Sequence, residues 1–348
     1  MSDAKQVSSR RYWGGILALS GVVLIWVTSS FAMNSLFGEL NYNKPFLVTY
    51  LNTATFSFYL LPFLLKRSKR SKKLLNNQST KTYAAVQSTS TTTEKLSTVQ
   101  TIQLSLTFCI LWFFANYTTN ASLAYTTVGS STILSAMSGL FTLAFGVLFK
   151  VEQLNVIKCA AVLISFLGVI LVSYSDHIND HTQASSPLIG DVLALSGAFF
   201  YGCYTILLKL KIGNEDRIDM PLFFGFVGAF NILLLWPLMP ILHYLGLETF
   251  ELPMNSTLWA VIFLNAFIGT FLSDYLWLLA MLMTSPLVVT LGIALTTPLA
   301  LIGEIFFKGI IPNLRYSLGA LFILSGFLAI NTNALKEAKS RNEETLLN

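Results

Sequence analysis

Apolar stretches long enough to cross a membrane recur along nearly the whole chain, and this feature limits the fold more than any other. The hydrocarbon core of a bilayer is about 30 Å thick, so one helical crossing needs roughly 20 apolar residues. Only 11% of the residues are charged and 54% are hydrophobic, whereas a typical soluble domain carries about 25% charged residues. The chain is therefore predicted to be an all-α integral membrane protein.

Ten spans fit into the 348 residues when the connecting loops are short. They are predicted at 13–36, 45–66, 100–122, 126–149, 155–175, 188–208, 220–244, 257–282, 286–307 and 313–331. The first apolar run resembles its neighbours and no clear small-residue cleavage site follows it, so it is predicted to be a span and not a signal peptide.

Three segments remain outside these spans. The residues 1–12 and 332–348 are predicted to be cytosolic tails. The segment 67–99 opens with basic residues and continues into a Ser/Thr-rich stretch. This composition cannot bury enough apolar surface to fold, so a disordered cytosolic linker is predicted there.

The distribution of lysine and arginine predicts the orientation, because these residues accumulate on the cytoplasmic side of membrane proteins. With ten spans and both termini in the cytosol, 19 of the 22 Lys and Arg residues fall in cytosolic segments. Only Lys44, Lys308 and Arg315 then lie on the other side. The net charge of +5 is thus interpreted as a topology signal, and no nucleic-acid partner is predicted.

The residues that usually perform catalysis or bind metals form no recognisable pattern. The three cysteines lie in predicted spans and the three histidines in loops or at a span end: Cys109, Cys159, Cys203, His177, His181 and His243. An odd number of cysteines inside spans does not indicate a disulfide framework. Neither a nucleotide-binding glycine loop nor a zinc motif is present. No metal, no cofactor and no enzyme activity are predicted, and a lipid transferase is disfavoured.

Two blocks of sequence recur at fixed offsets, which is the signature of an internal repeat. "GGILALSGVVLIW" (14–26) matches "GDVLALSGAFFYG" (190–202) at an offset of 176, and 115–150 aligns without gaps to 273–308 at an offset of 158. The offset of 158 also pairs Gly168 with Gly326. Because each half has an odd number of spans, the second half enters the membrane from the opposite side.

The chain is therefore predicted to form two inverted five-helix repeats, 13–175 and 188–331. Inverted repeats are characteristic of secondary transporters, whose substrate site lies near the membrane midplane between the repeats. A duplicated membrane protein without a transport path, such as a structural partner, and a lipid scramblase are the alternatives.

Charged side chains within a span are costly and usually mark an ion or substrate path. Asp191 lies in the first turn of span six, where it can complement the helix dipole, and Glu304 can reach the membrane interface from span nine, so a structural role is favoured for both. Asp274 lies roughly two turns from the end of span eight, too deep for its short side chain to reach water without a cavity. It could exchange a proton, pair with a cationic solute, or join two helices through hydrogen bonds.

The repeat alignment and span nine add further candidates. Asn116 and Tyr117 are the repeat counterparts of Asp274 and Tyr275. A proline within a span frees a backbone carbonyl and favours a bend beside a cavity, and Pro298 follows two threonines. The predicted substrate- or ion-binding residues are Asp274, Asn116, Tyr117, Tyr275, Thr296 and Thr297, with Pro298 as a gate or bend.

Three stretches resemble one known family. They are "TYLNTATFSFYLLP" (49–62), "ASLAYTTVGSSTILSAMSGLFTLAFG" (121–146) and "GTFLSDYLWLLAMLMTSPLVVTLGIALTTPLA" (269–300). They are similar to the subfamily F branch of solute carrier family 35, within the EamA-type drug/metabolite transporter superfamily, and the resemblance covers roughly 45–335. It implies ten helices, inverted five-helix repeats and transport in an internal membrane. Fungal relatives are associated with the vacuole, and some with thiamine-regulated expression.

The predicted function is secondary-active, alternating-access transport of a small polar or cationic metabolite, with proton coupling or exchange left open. The vacuole membrane is the favoured location, and the Golgi or ER membrane is the alternative. Relatives that carry nucleotide sugars hold phosphate with basic residues in the cavity, whereas Lys209 and Lys211 end span six at its cytosolic edge, where long side chains snorkel to the interface. Nucleotide-sugar or thiamine transport is the alternative function. The predicted partners are a small-molecule solute and the lipid bilayer, and a homodimer is left open.

Overall fold

A computed structural model of the protein describes residues 2–37, 42, 44–63, 65, 95–122, 125, 134–177, 187–246, 248–296, 298–299, 302 and 314–347. Every regular element within these residues is helical. The expected all-α class is therefore confirmed.

Twelve α-helices can be traced in the described residues: α1 (Ser2–Phe37), α2 (Pro45–Ala54), α3 (Thr98–Ser122), α4 (Ser138–Leu148), α5 (Val156–His177), α6 (Pro187–Ile212), α7 (Met220–Leu235), α8 (Leu238–Tyr244), α9 (Ser256–Leu264), α10 (Ser273–Met283), α11 (Pro286–Ile293) and α12 (Leu314–Leu347). A 3₁₀ helix (Thr55–Leu60) extends α2, and a π-helix (Asn265–Leu272) joins α9 to α10.

Seven segments of the described chain are long and apolar enough to cross a bilayer. They are Arg10–Ser29, Phe46–Phe63, Thr98–Thr119, Leu188–Ile212, Met220–Tyr244, Ser256–Met283 and Ser317–Ala334. They coincide with seven of the ten predicted spans, so the protein passes the membrane several times. At the other three predicted spans the apolar helical segments that the structure describes are shorter: Leu134–Leu148, Val156–Leu171 and Pro286–Ile293.

The helices extend further than expected at three places. The predicted tails are largely helical, because α1 begins at Ser2 and α12 runs to Leu347; the second tail is rich in strong helix formers such as Ala, Leu, Lys and Glu. Of the predicted linker 67–99, residues 67–94 lie outside the described part of the chain. The helix α3 already begins at Thr98, because Ser97 and Gln100 form a reciprocal capping box: Ser97 Oγ accepts from the Gln100 amide at 3.2 Å, and Gln100 Oε1 accepts from the Ser97 amide at 2.9 Å.

Small residues bring α5 and α12 close together. A methyl group added at Gly168 would lie 2.6 Å from the carbonyl oxygen of Gly319, and one added at Gly326 would lie 2.6 Å from that of Ala161. Close backbone approach of this kind is a main source of helix association in lipid. Gly319 follows Ala161 by 158 residues, just as Gly326 follows Gly168, so the two contacts are equivalent in the repeat numbering.

Ion pairs join several helices at one end of the bundle, which we call the basic end and define by Arg11, Lys158 and Lys209. Arg11 pairs with Glu215. Lys158 Nζ lies 2.9 Å from Glu152 Oε2 and 3.1 Å from Glu337 Oε2. The two terminal helices also meet here, since the Tyr12 hydroxyl on α1 donates to Asn331 Oδ1 on α12 at 2.7 Å.

At the opposite end, side chains of the segment before α9 contact the start of α2. Glu248, which precedes α9, accepts hydrogen bonds from the amides of Phe46 at 2.8 Å and Leu47 at 3.0 Å. The carboxylate therefore caps two free amides of a helix that is distant in sequence. Lys44 lies 3.5 Å from Glu251 in the same region.

Candidate functional site

A cavity of about 270 Å³, here called the central cavity, lies inside the bundle. It is lined by residues of α1, α3, α4, α6, α10 and α11 and by Ser135 just before α4: Trp26, Trp112, Ala115, Asn116, Thr119, Ser135, Ser138, Gly197, Ala198, Tyr201, Tyr204, Asp274, Trp277, Thr290 and Ile293. None of these lining residues is a lysine, an arginine or a histidine. A wall of aromatic and small polar side chains thus surrounds one carboxylate.

That carboxylate belongs to Asp274, whose side chain is buried in the first turn of α10. The residue is 7% exposed. Within the described part of the chain it forms neither a hydrogen bond nor an ion pair. An ionised carboxylate without a partner is very unfavourable in a dry interior, so a proton on Asp274 or a cation in the cavity would stabilise this arrangement.

The π-helix immediately before α10 sets the register of the helix that carries Asp274. Its irregular backbone is supported by side-chain hydrogen bonds: the Tyr59 hydroxyl donates to the Phe271 carbonyl at 2.8 Å, and Ser273 Oγ donates to the Gly269 carbonyl at 2.6 Å. Ser273 Oγ also accepts from Trp26 Nε1 at 3.0 Å. π-helical segments occur often at functional sites, and the hydrogen bond from Trp26 connects the cavity wall of α1 to the residue beside Asp274.

Three aromatic rings of the cavity wall pack against one another. The ring centroids of Tyr201 and Tyr204 are 5.1 Å apart, and those of Tyr204 and Trp277 are 5.7 Å apart, both in edge-to-face arrangements. Such pairs are favourable beyond the area that they bury. The rings are therefore held in place, while Trp26 and Trp112 complete the wall from α1 and α3.

Three buried polar atoms of this wall are poorly satisfied within the described residues. The Tyr201 hydroxyl, Trp277 Nε1 and Ser135 Oγ are buried without a hydrogen bond of normal geometry to the described residues. The Tyr201 hydroxyl lies near Trp277, Thr205 and Thr290. An unsatisfied buried polar group costs about 1–3 kcal/mol, so this wall is suited to a polar molecule.

The structure brings two of the predicted site residues together and separates the others. Asp274 and Asn116 both line the central cavity, and Asn116 Nδ2 donates to the Trp112 carbonyl at 2.9 Å. Two further pairs of repeat counterparts line it as well, namely Thr119 with Trp277 and Ser135 with Ile293.

The predicted tyrosines lie elsewhere. The Tyr117 ring stacks on Phe113 at a centroid distance of 5.8 Å, and the Tyr275 ring stacks on Tyr59 at 5.9 Å. Neither lines the central cavity. Adjacent helix positions point about 100° apart, so the residue after a cavity-facing one turns into the packing between helices.

The candidates of span nine lie beside the central cavity. Thr296 lines a neighbouring cavity of about 190 Å³, and its hydroxyl donates to the Ile293 carbonyl at 2.7 Å. The two cavities share Ser135, Ser138, Thr290 and Ile293. Pro298 is half-buried in a helical segment, while Thr297 and Glu304 lie outside the described residues.

The aromatic side chains of the cavity were not predicted from the sequence. Tyr201 and Tyr204 are three residues apart, as are Asp274 and Trp277, so each pair shares one face of its helix. This three-residue spacing is the sequence signal that could have identified the aromatic residues of the cavity. It is weak in a chain with 27 phenylalanines, 13 tyrosines and 6 tryptophans.

A second cavity, of about 350 Å³, lies at the basic end and is lined by Arg11, Glu152, Lys158, Lys209 and Glu337 among others. The sequence predicted that Lys209 extends to the membrane interface, but in the structure it also contacts α10. Its Nζ lies 3.3 Å from the carbonyl oxygen of Met281, 3.0 Å from that of Leu282 and 3.4 Å from that of Thr284. Along α6 and α10, fully buried side chains stand between the two cavities, namely Leu208, Leu278 and Met281.

Comparisons with known proteins agree on the kind of molecule. Residues 13–174 match the EamA-like transporter family. An uncharacterized vacuolar membrane protein of Saccharomyces cerevisiae is 41% identical to this chain and aligns with 97% of it and 95% of its own length. Solute carrier family 35 member F5 of Mus musculus is 41% identical over 64% of this chain and 44% of its own. A crystal structure with 15% identity superposes with a TM-score of 0.66 over 92% of this chain and 98% of that chain, which shows a shared fold.

Proposed function

The chain belongs to the EamA-like transporter family, in its solute carrier family 35 subfamily F-like branch, and from this premise we propose that it is a secondary-active transporter of a small polar or cationic metabolite. Family membership assigns it to membrane transport and confirms the expectation that it is not an enzyme. The observation that carries the finer proposal is the buried Asp274 carboxylate, which lines a cavity without a counter-charge among the described residues.

The transporter is proposed to consist of ten spans in two inverted repeats. The central cavity supports this arrangement, because its lining comes from spans one, three and four and from their repeat counterparts six, eight and nine. The equivalent contacts of Gly168 and Gly326 support the same register. Substrate sites at the interface of inverted repeats are the rule in such transporters.

Both termini are proposed to be cytosolic, with the basic end facing the cytosol. The hydrogen bond between Tyr12 and Asn331 supports a common location for the terminal helices, and the basic residues of that end agree with the positive-inside rule. In this orientation the buried residues Leu208, Leu278 and Met281 are proposed to block the path from the central cavity to the cytosol. Alternating access requires that this packing open in another state of the cycle.

Asp274 is proposed to couple the solute to a proton. A carboxylate in this cavity can hold a proton or a positively charged solute, and the two occupants exclude each other. Binding of the cation releases the Asp274 proton to water, and return of a proton releases the cation. Such mutually exclusive occupancy produces exchange across the membrane when the cavity alternates between its two sides.

The solute is proposed to be small and to carry no phosphate. The cavity of about 270 Å³ lies below the range of roughly 300–1,000 Å³ for pockets of drug-sized ligands. A phosphate group also needs basic partners, and none lines the cavity. These observations favour a small cation over a nucleotide sugar.

The favoured location is the vacuole membrane, because a relative aligned over 97% of this chain is described as a vacuolar membrane protein. The Golgi and ER membranes are the alternatives. Imaging of a fluorescently tagged full chain in yeast, beside markers of the three membranes, would decide among them.

Transport can be tested with purified protein in proteoliposomes that carry an imposed pH gradient. Uptake would be measured for thiamine, amino acids and nucleotide sugars. We expect accumulation of at least one small solute that is driven by the gradient in the wild type. Asp274→Asn should abolish the dependence on the gradient, whereas Asp191→Asn, a change in the first turns of α6, should retain it.

Unchanged pH dependence in Asp274→Asn would refute the coupling role. Transport of nucleotide sugars alone would refute the proposed solute class. Lipid movement between leaflets in the absence of any solute transport would favour a scramblase.

A further inference from the structure

A groove of about 530 Å³ lies on the outer surface of the basic end, between α3 and α6, and the proposed transport does not use it. We call it the interface groove; it is lined, among others, by Gln100, Gln103, Thr107, Leu210, Lys211 and Arg217. We propose that the interface groove binds one anionic phospholipid of the cytosolic leaflet. This inference goes beyond the transport function and uses only the orientation proposed above.

Two basic side chains give the interface groove a positive charge. Lys211 is exposed in the last turn of α6, and Arg217 ends the short 3₁₀ helix that follows. No acidic residue occurs among the described residues that line the groove, and the nearby Glu215 pairs with Arg11. Basic pockets between helices on the cytoplasmic side are typical sites for anionic headgroups. The charge of the groove therefore favours a phosphate group.

Hydrogen bonds to the backbone hold these charges beside the start of α3. Arg217 Nη1 donates to the Ile212 carbonyl at 3.2 Å, and the Leu96 amide donates to the Arg217 carbonyl at 2.8 Å. The first bond places a cation at the C-terminal end of α6, where the helix dipole favours it. The second joins the chain just before α3 to the 3₁₀ helix. Both basic groups thus lie where α6 ends and α3 begins.

A row of polar side chains continues from these charges into the apolar span Thr98–Thr119. Gln100, Gln103 and Thr107 are exposed and share one face of α3. At 1.5 Å per residue the row extends about 10 Å along the helix. Polar groups are unfavourable against acyl chains, but the ester carbonyls of a glycerophospholipid lie just below its phosphate and accept hydrogen bonds. The row therefore favours a membrane lipid over a soluble phosphate compound.

The α6 side of the groove changes from basic to apolar in the same direction. Leu207 also lines the groove, four residues before Lys211 on the same helix face and so one turn deeper in the membrane. Leu210 is 44% exposed beside them. Basic groups at the interface, polar groups below them and leucines beyond follow the order of phosphate, ester and acyl chain in a phospholipid.

The segment 67–94, which precedes α3 in the sequence, does not have the charge of a complementary occupant. It contains six lysines and arginines and a single acidic residue, Glu94. Like charges repel, so Lys211 and Arg217 disfavour this segment in the groove. A basic segment beside the membrane adds to the attraction for anionic lipids.

The proposal can be tested by native mass spectrometry of the purified full chain in detergent. The protein would be titrated with phosphatidylinositol, and separately with phosphatidylcholine of the same acyl chains, to measure the dissociation constant of the first bound lipid. The double variant Lys211→Gln/Arg217→Gln removes both charges of the groove. The double variant Arg10→Gln/Lys336→Gln removes one arginine and one lysine at exposed positions outside the groove and is the matched control.

We expect the wild type to bind phosphatidylinositol about 30-fold more tightly than phosphatidylcholine, because each of two basic residues contributes about fivefold. Lys211→Gln should weaken phosphatidylinositol binding about fivefold, and the double groove variant should remove the preference. The single variant leaves the hydrogen bond from Arg217 to Ile212 in place, so it tests the charge without disturbing that contact. Gln103→Leu should weaken both lipids about 2- to 10-fold through the loss of a hydrogen bond.

Equal affinity for the two lipids, or an equal loss of preference in the matched control, would overturn the proposal. Unchanged affinities in Gln103→Leu would refute the placement of the ester groups. Glycerophosphoinositol, the headgroup without acyl chains, should not displace the lipid; displacement at equal concentration would refute a membrane lipid as the occupant. A chain that transports a solute without any lipid preference would keep the proposed function and lose this inference, and a chain that prefers phosphatidylinositol but transports nothing would do the reverse.

Discussion

Lys209 donates a hydrogen bond from its Nζ to the carbonyl oxygen of Leu282 at 3.0 Å, which joins α6 to the end of α10. The same ammonium group approaches the carbonyls of Met281 and Thr284. It thereby satisfies the free carbonyls at the C-terminus of the helix that carries Asp274 and complements the negative end of the helix dipole. We interpret this contact as an anchor of the end of α10 at the basic end.

Replacement of this lysine should loosen the end of α10. Lys209→Met keeps the length of the side chain but removes the charged donor, and a hydrogen bond to a charged group contributes about 1.5–3 kcal/mol. We expect faster hydrogen exchange of the amides from Leu278 to Thr284 and a lower melting temperature. Lys211→Met, an exposed position on the same helix, should leave both unchanged. Equal exchange in the two variants would show that Lys209 does not hold the helix.

The contact between α5 and α12 predicts equivalent effects at two distant positions. Gly168→Ala and Gly326→Ala each place a methyl group 2.6 Å from a backbone oxygen of the other helix. Overpacking of this kind typically costs about 1–3 kcal/mol. We expect both variants to melt at lower temperature by similar amounts. Ala160→Leu, on an exposed face of α5, is the control, and a stable Gly326→Ala protein would contradict the equivalence.

The buried carboxyl of Glu248, at the end opposite the basic end, should make the stability of the protein depend on pH. Burial raises the pKa of its carboxyl above the ordinary value of 4.5, although the amides of Phe46 and Leu47 and the charge of Lys44 act in the other direction. The folded protein therefore binds this proton more tightly than the unfolded chain does. The protonated Glu248 carboxyl therefore stabilises the folded protein fully below pH 4.5, and this stabilisation is lost as the pH rises through the raised pKa.

Thermal unfolding measured across this pH range should reveal that loss. The wild type should lose stability relative to Glu248→Gln as the pH rises, because Gln cannot ionise. Glu251→Gln, whose side chain is largely exposed, should follow the wild type. A gain of wild-type stability relative to Glu248→Gln over the same range would reverse the sign and refute the interpretation.

The hydrogen bond from the Tyr59 hydroxyl to the π-helix should affect both stability and transport, because the π-helix precedes Asp274. Tyr59→Phe removes the hydrogen bond to the Phe271 carbonyl and should lower the free energy of unfolding by about 1 kcal/mol. Because this bond supports the backbone just before Asp274, transport should fall as well. Tyr50→Phe, whose hydroxyl donates to the Ile232 carbonyl over a longer 3.4 Å, should have little effect. Normal transport in Tyr59→Phe would separate the π-helix from the site.

Much of the architecture could be predicted because its causes are local. Seven predicted spans coincide with long apolar helices, since the length of an apolar run and the thickness of a bilayer are independent of the partners of a helix. The boundaries were less accurate. The start of α3 depended on the capping box of Ser97 and Gln100, and this signal was overlooked within a polar, Ser/Thr-rich segment.

The candidate site was predictable only in part. Asp274 could be singled out because a carboxylate in an apolar span stands out in any arrangement, Asn116 followed from the repeat register, and both line the central cavity. Tyr117 and Tyr275 were inferred from the same alignment, but the structure places their rings against Phe113 and Tyr59 and not in the cavity. An alignment pairs positions, whereas the rotation of each helix decides which of two neighbouring residues faces inward.

The sequence by itself determined that the chain is helical, crosses the membrane repeatedly and carries an acid, Asp274, within an apolar span, because hydrophobic transfer and the cost of burying a charge act on each segment separately. Only the tertiary structure decided what surrounds that acid. Trp26, Tyr201 and Trp277 come from three different helices, and lipid is as apolar as a protein core, so hydrophobicity alone does not tell which aromatic faces the cavity. Close packing at small residues and individual hydrogen bonds, such as that from Trp26 to Ser273, set the rotation of the helices and thereby form the site.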